Sequence, residues 1–83
     1  MRDCACCGFL TLTSPERGSY EICPVCFWED DGVQYSDPTL AGGANRPSLQ
    51  QARINFKDFG ACERKALQHV RPPQPEEIPS SPH

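Results

Sequence analysis

The sequence predicts a small α+β domain: a β-hairpin core tied together by four cysteines, then two short helices, then a disordered proline-rich tail. Three observations carry this reading. Two Cys-x-x-Cys pairs, Cys4–Cys7 and Cys23–Cys26, are separated by fifteen residues, with strand-like sequence after the first pair and before the second. Residues 48–70 place apolar side chains at helical spacing. From Pro72 onwards, prolines and acids replace any periodicity.

In chain order, Phe9-Leu10-Thr11-Leu12-Thr13 suits a half-buried strand and Ser14-Pro15-Glu16-Arg17-Gly18 is a turn. Ser19-Tyr20-Glu21-Ile22 alternates, with Tyr20 and Ile22 on one face. A hairpin made of these two strands links the cysteine pairs and brings Cys4 and Cys7 beside Cys23 and Cys26. Phe27-Trp28 then either cover the cysteines as a small core or stand exposed as an aromatic contact. Glu29-Asp30-Asp31-Gly32 reads as a solvated turn or as an acidic patch for a partner. Its spacing does not fit the twelve-residue EF-hand loop.

Residues 34–47 read as an irregular connection rich in turn residues: Asp37-Pro38, Gly42-Gly43 and Asn45-Arg46-Pro47. The glycines lack the Gly-x-x-x-x-Gly-Lys context of a phosphate loop. Ser48 and Gln51 form a capping-box pair that opens a helix. Leu49, Ala52 and Phe56 share its apolar face, Arg53 flanks it, and Gly60 stops it. A second helix is expected from Cys62 to about Val70, with Cys62, Ala66 and Val70 in one stripe. The boundaries are therefore one domain over 1–71 (ribbon about 1–33, connection 34–47, helices about 48–71) and a disordered tail over 72–83.

An 83-residue chain with 37% hydrophobic and 8% aromatic residues is lean for a core without a staple, and small domains commonly recruit disulfides, a metal or a partner. Met1-Arg2-Asp3-Cys4 lacks the apolar run of a secretory signal. No stretch approaches the roughly 20 apolar residues of a membrane span. A cytoplasmic protein keeps its thiols reduced, and paired cysteines then bind metal rather than each other. The spacing thus points to one structural zinc ion held by Cys4, Cys7, Cys23 and Cys26. Gly8 supplies the left-handed backbone that follows such a turn, whereas Phe27 at the matching place cannot adopt it as cheaply. Cys6 is read as a thiol near the site, and its exchange for Cys7 would shrink the first spacing to Cys-x-Cys. Cys62 is read as a core residue, with a reactive thiol as the alternative for either cysteine.

Four thiolates close a zinc site, and a catalytic zinc needs an open position. His69 and His83 lie near the end of the chain, so no acid–base constellation is suggested and no enzyme activity is expected. A thiol redox protein is the enzymatic alternative, but it calls for a strand–helix setting that the pattern does not provide.

The formal net charge is −3, with −5 over residues 1–41, +4 over residues 42–71 and −2 in the tail. A zinc tetrathiolate carries −2, which brings the folded total to about −5. That balance disfavours nucleic acid and suits a basic protein partner. A nucleic-acid-binding ribbon using Arg46, Arg53, Lys57, Arg64, Lys65 and Arg71 is the alternative from another class.

Several longer stretches resemble the cysteine-rich CPCC proteins of bacteria. They are Cys4-Ala5-Cys6-Cys7-Gly8, the run from Gly18 through Cys23-Pro24-Val25-Cys26-Phe27-Trp28-Glu29-Asp30-Asp31-Gly32 to Gln34, Gly42-Gly43-Ala44-Asn45, and Asn55-Phe56-Lys57-Asp58-Phe59-Gly60-Ala61. Ala5 stands where the family name has proline, which touches turn rigidity and leaves the presumed ligands intact. The resemblance implies a small zinc-ribbon-like domain and an immunity or antitoxin-like role beside bacterial toxins. On that reading the partner is a basic toxin, met by Trp28, Glu29, Asp30, Asp31 and Asp37 through electrostatic and aromatic complementarity.

Overall fold

In a computed structural model, which describes residues 1–79, each Cys-x-x-Cys turn closes a hairpin of its own. Strand β1 (Arg2–Asp3) pairs antiparallel with β2 (Leu10–Leu12), with a register irregularity between Arg2 and Asp3. Cys4–Cys7 sit at the closed end. The second pair repeats the plan, with Ile22 bridged to Glu29 across Cys23–Cys26. This corrects the expected single hairpin between Phe9–Thr13 and Ser19–Ile22. A Cys-x-x-Cys turn reverses the chain within five residues, so each strand meets its partner across its own turn before the next cysteine pair is reached. The two hairpins are joined by side chains instead: the Glu21 carboxylate accepts from Thr13 N (3.0 Å), Thr13 Oγ1 (2.7 Å) and Ser14 N (2.7 Å).

Helix α1 (Gly32–Ser36) follows the acidic run, in a stretch read from sequence as turn and connection. Asp31 is its N-cap, with Oδ1 accepting from Val33 N at 2.8 Å and Gln34 N at 3.2 Å, as a capping aspartate does. The loop over 37–47 is then wound around Gln34, which is fully buried.

Helix α2 (Leu49–Phe59) forms as the sequence predicts. Ser48 Oγ accepts from Gln51 N at 3.1 Å, Leu49 and Ala52 are buried, and Gly60 ends the helix at φ +91° with its N–H on Phe56 O. Gln51 does not reach back to complete the capping box, since its amide bonds Asn55 Oδ1 at 2.8 Å. Arg53 Nε donates to Ala5 O at 2.9 Å and fastens α2 to the first cysteine turn.

The second helix is a 3-10 helix over Arg64–His69. Its flanks are pinned to the second turn by Cys62 N→Cys26 O (2.8 Å) and Arg71 N→Pro24 O (3.2 Å). A 3-10 helix rises more per residue than an α-helix, which suits a segment anchored at both ends. Cys62 and Ala66 are buried as expected, whereas Leu67 is 42% exposed.

The expected disorder from Pro72 does not hold through Pro79. Pro75–Glu77 form a 3-10 turn, and Arg71 grips the buried Glu77 carboxylate with two bonds of 2.8 Å. The remainder of that expectation, residues 80–83, lies outside the described residues. The core itself is small: Trp28, Leu12, Leu49 and Val25 pack with Ala52, Ala61, Ala66 and the buried cysteines.

Candidate metal centre

The two cysteine turns are built alike, bond for bond. In the first, Gly8 N donates to Cys4 O at 2.8 Å and Cys4 N to Phe9 O at 2.9 Å. In the second, Phe27 N donates to Cys23 O at 2.7 Å and Cys23 N to Trp28 O at 2.9 Å. Gly8 takes φ +82° and Phe27 takes φ +71°. The glycine geometry is thus used at both turns, although Phe27 carries a Cβ. The cost of a left-handed side-chain-bearing residue is about 1–2 kcal/mol. It is offset where the ring packs against the core and stacks on His69, with centroids 4.8 Å apart.

This pairing aims four sulfurs at one point. The Sγ atoms of Cys4, Cys7, Cys23 and Cys26 all lie within 4.8 Å of one another and could hold a metal ion. Two sulfur contacts cross between the turns: Cys4 to Cys26 at 3.5 Å and Cys7 to Cys23 at 3.7 Å. Tetrahedral ligands at the usual zinc–sulfur length stand about 3.8 Å apart, so the donor set fits such an ion in type, number and spacing. Cys4, Cys23 and Cys26 are at most 1% exposed, and Cys7 is partly exposed.

Two donors from outside the set support the sulfurs. Thr11 Oγ1, on β2, donates to Cys23 Sγ at 3.0 Å, and Trp28 N donates to Cys26 Sγ at 3.4 Å. The contact with Cys26 pushes the Cys23 thiol down and, reciprocally, the contact with Cys23 pushes Cys26 up. Cys7 is likewise pushed up, first by Cys23. Four thiolates this close would repel one another as four anions. A divalent cation among them removes that conflict.

All six cysteines are free thiols. Cys6 is buried beside the quartet and is not one of it, so the Cys-x-x-Cys spacing and not Cys-x-Cys is the one used. Cys62 is 2% exposed and its thiol is pushed up to about 12, first by burial and then by Cys6. That is the profile of a packed, unreactive thiol.

The acidic run is not a surface. Trp28 and Asp30 are 1% exposed and Asp31 is 5% exposed, which overturns their assignment to a partner contact. Asp30 Oδ2 accepts from Gly18 N (3.1 Å), Ser19 N (3.2 Å) and Ser19 Oγ (3.0 Å), with Arg17 alongside at 3.8 Å. Asp31 caps α1 with one oxygen and takes Ala44 N at 2.9 Å with the other. The Ala44 bond is the main reason its carboxyl lies below the ordinary range. Glu29 is half-buried, its backbone N–H and C=O both bonded by the Asn45 side chain at 2.8 Å. Asp37 is exposed and orders its own loop through Thr39.

The description of the cysteine-rich CPCC family matches residues 2–77 of this chain. The chain belongs to that family. Comparison with the curated proteins gives no match. Ala5, which stands where the CPCC name has proline, is 8% exposed and its C=O accepts from Arg53 Nε. The Gly42-Gly43-Ala44-Asn45 stretch of this CPCC chain closes against the acidic run, and with Thr11 and Gln34 it makes up what sequence reasoning missed at the site. The signal for the loop was present in its coupling of a double glycine to Asn45. The Thr11 contact left no signal beyond strand propensity.

Proposed function

We propose that this protein is a non-catalytic, zinc-ribbon-like module in which one structural zinc ion is held by Cys4, Cys7, Cys23 and Cys26, and that it acts by contacting another protein. The convergence of four sulfurs, three of them shut off from solvent, carries the reading. When bound, the ion supplies cross-linking of the two hairpins. A four-thiolate set leaves no open coordination position for a substrate. The groove of about 310 Å³ between Val25, Phe56, Gly60, Val70, Arg71, Pro72 and Pro73 offers no acid, base or nucleophile apart from Arg71, which is bound to Glu77.

With Trp28, Asp30 and Asp31 inside, the exposed aromatic and apolar side chains around the second hairpin support a contact surface. Tyr20 is 56% exposed, Ile22 48%, Val33 61% and Tyr35 41%. Family membership supports an immunity or antitoxin-like role, in which this surface meets a toxin encoded beside it. The nucleic-acid alternative is disfavoured, because Arg53 is bonded to Ala5, Arg64 lies over the Phe59 ring and Arg71 is paired with Glu77. No helix among the described residues is long and apolar enough to cross a membrane, and six reduced thiols suit the cytoplasm.

Metal analysis of protein purified without added zinc tests the centre, with about one equivalent expected. Chelation should then abolish the folded circular-dichroism signal. A folded, metal-free protein overturns the zinc reading. For the partner, co-purification with the neighbouring toxin should be lost in Tyr20→Ser with Ile22→Ser, and retention there overturns this surface.

A further inference from the structure

We infer that Cys7 is the oxidant-sensitive position of the metal centre, and that the disulfide it forms is with Cys23, across the two turns, rather than with Cys4 inside its own turn. The inference rests on the zinc reading and adds to it a site of chemical modification.

Access selects the residue. Cys4 is 1% exposed and Cys23 and Cys26 are fully buried, so Cys7 is the one member of the quartet that is partly exposed. The two spare thiols do not compete, since Cys6 is 8% and Cys62 2% exposed. Distance selects the partner. Cys23 Sγ lies 3.7 Å from Cys7 Sγ, a direct sulfur–sulfur contact between the two hairpins, and Thr11 Oγ1 donates to Cys23 Sγ at 3.0 Å. A sulfur already within van der Waals reach needs only a small movement to form the bond.

The co-reactant is a peroxide, with hydrogen peroxide as the simplest case. The Cys7 thiolate attacks one peroxide oxygen: the S–O bond forms, the O–O bond breaks and hydroxide leaves. Sulfur is oxidised by two electrons and the peroxide is reduced. The Cys23 sulfur then attacks the Cys7 sulfenic sulfur, the S–S bond forms, the S–O bond breaks and a second hydroxide leaves. One peroxide thus converts two thiolates into one disulfide and two hydroxides. Cys4 and Cys26, 3.5 Å apart, remain as two ligands, too few to retain the ion tightly.

The test uses the full chain loaded with one equivalent of zinc and treated with less than one equivalent of hydrogen peroxide. Released zinc is followed with a metallochromic dye, sulfenic acid is trapped with dimedone, and the bridge is mapped by mass spectrometry without reduction. The expected result is a first adduct on Cys7, a Cys7–Cys23 bridge, and one zinc released per bridge. Cys6→Ala with Cys62→Ala, which leaves all four ligands, should release zinc at the wild-type rate. Cys7→Ser should release it at least ~10-fold more slowly if it still loads, and the adduct map of the wild type decides the matter if it does not. A first adduct on any other cysteine, a Cys4–Cys7 bridge, or protection by Cys6→Ala with Cys62→Ala overturns the inference while leaving the zinc reading intact. A chain that takes up no zinc overturns both.

Discussion

Gly43 has room for a hydrogen atom and nothing larger. A Cβ there would lie 2.7 Å from Asp31 Oδ2 and 2.8 and 2.9 Å from Gln34 Cδ and Cγ. Neither neighbour can yield, because Asp31 is fixed on three backbone amides and Gln34 on the loop that contains Gly43. Gly43→Ala should therefore cost about 1–3 kcal/mol, the usual range for overpacking a fixed site, read as a lower urea midpoint with an unchanged slope. Thr11 acts at the same scale on the metal centre. Thr11→Val keeps the shape and removes the hydroxyl that Cys23 accepts, so zinc affinity should fall about 10–100-fold by competitive chelator titration, with the four-sulfur spectrum of a cobalt-substituted sample retained. An unchanged affinity would leave Thr11 as a packing residue only.

At the scale of elements, the second hairpin, α1 and the 37–47 loop are one polar assembly organised by Gln34. Its Nε2 faces the carbonyls of Leu40 (3.0 Å), Asn45 (3.2 Å) and Pro47 (3.1 Å), and its Oε1 accepts from Asn45 N (3.1 Å) and Nδ2 (3.0 Å). Gln34→Ala leaves those buried groups without partners and should cost about 2–4 kcal/mol. Amide exchange should rise first across residues 38–47, and exchange that rises evenly over the chain would contradict a local hub. This assembly also marks where the sequence stopped being legible. Helix α2 was readable end to end because its cap, apolar stripe and stop signal are local patterns. The cluster of Cys4, Cys7, Cys23 and Cys26 was readable because the Cys-x-x-Cys spacing is a local pattern. Gln34, Asp30 and Asp31 were not: a polar residue is buried when distant backbone groups satisfy it, and the partners of Asp31 and Gln34 lie up to thirteen positions away. The same holds for the tail, where an Arg71–Glu77 pair and not an apolar stripe orders the turn. The separate hairpins were missed because a strand of two residues has no periodicity to read.

For the whole molecule, the inter-element ties are carboxylates as much as apolar side chains, and this gives the fold a defined response to acid. Hydrogen bonds from Thr13, then Ser14 and Ser19, hold the Glu21 carboxyl down at about 2 from its ordinary 4.5. The Arg71 guanidinium, then Gln74 N, does the same for Glu77, also to about 2. Folding lowers both values, so below about pH 4.5 the unfolded chain binds more protons than the folded one and stability rises with pH there. Their contribution is fully present above pH 4.5 and disappears as pH falls through 2. On the proposed zinc reading, loss of the ion to thiolate protonation acts on top of this, so the carboxylates must be isolated by difference. The gap in urea midpoint between wild type and Glu77→Gln should be constant from pH 7 to about 5 and close progressively toward pH 2. Glu21→Gln should behave alike and loosen the two hairpins from each other, since its carboxylate is the bond acceptor that joins them. A gap that widens on acidification would mean that the carboxylates are held protonated by the fold, and the joint between the hairpins would then have to be apolar.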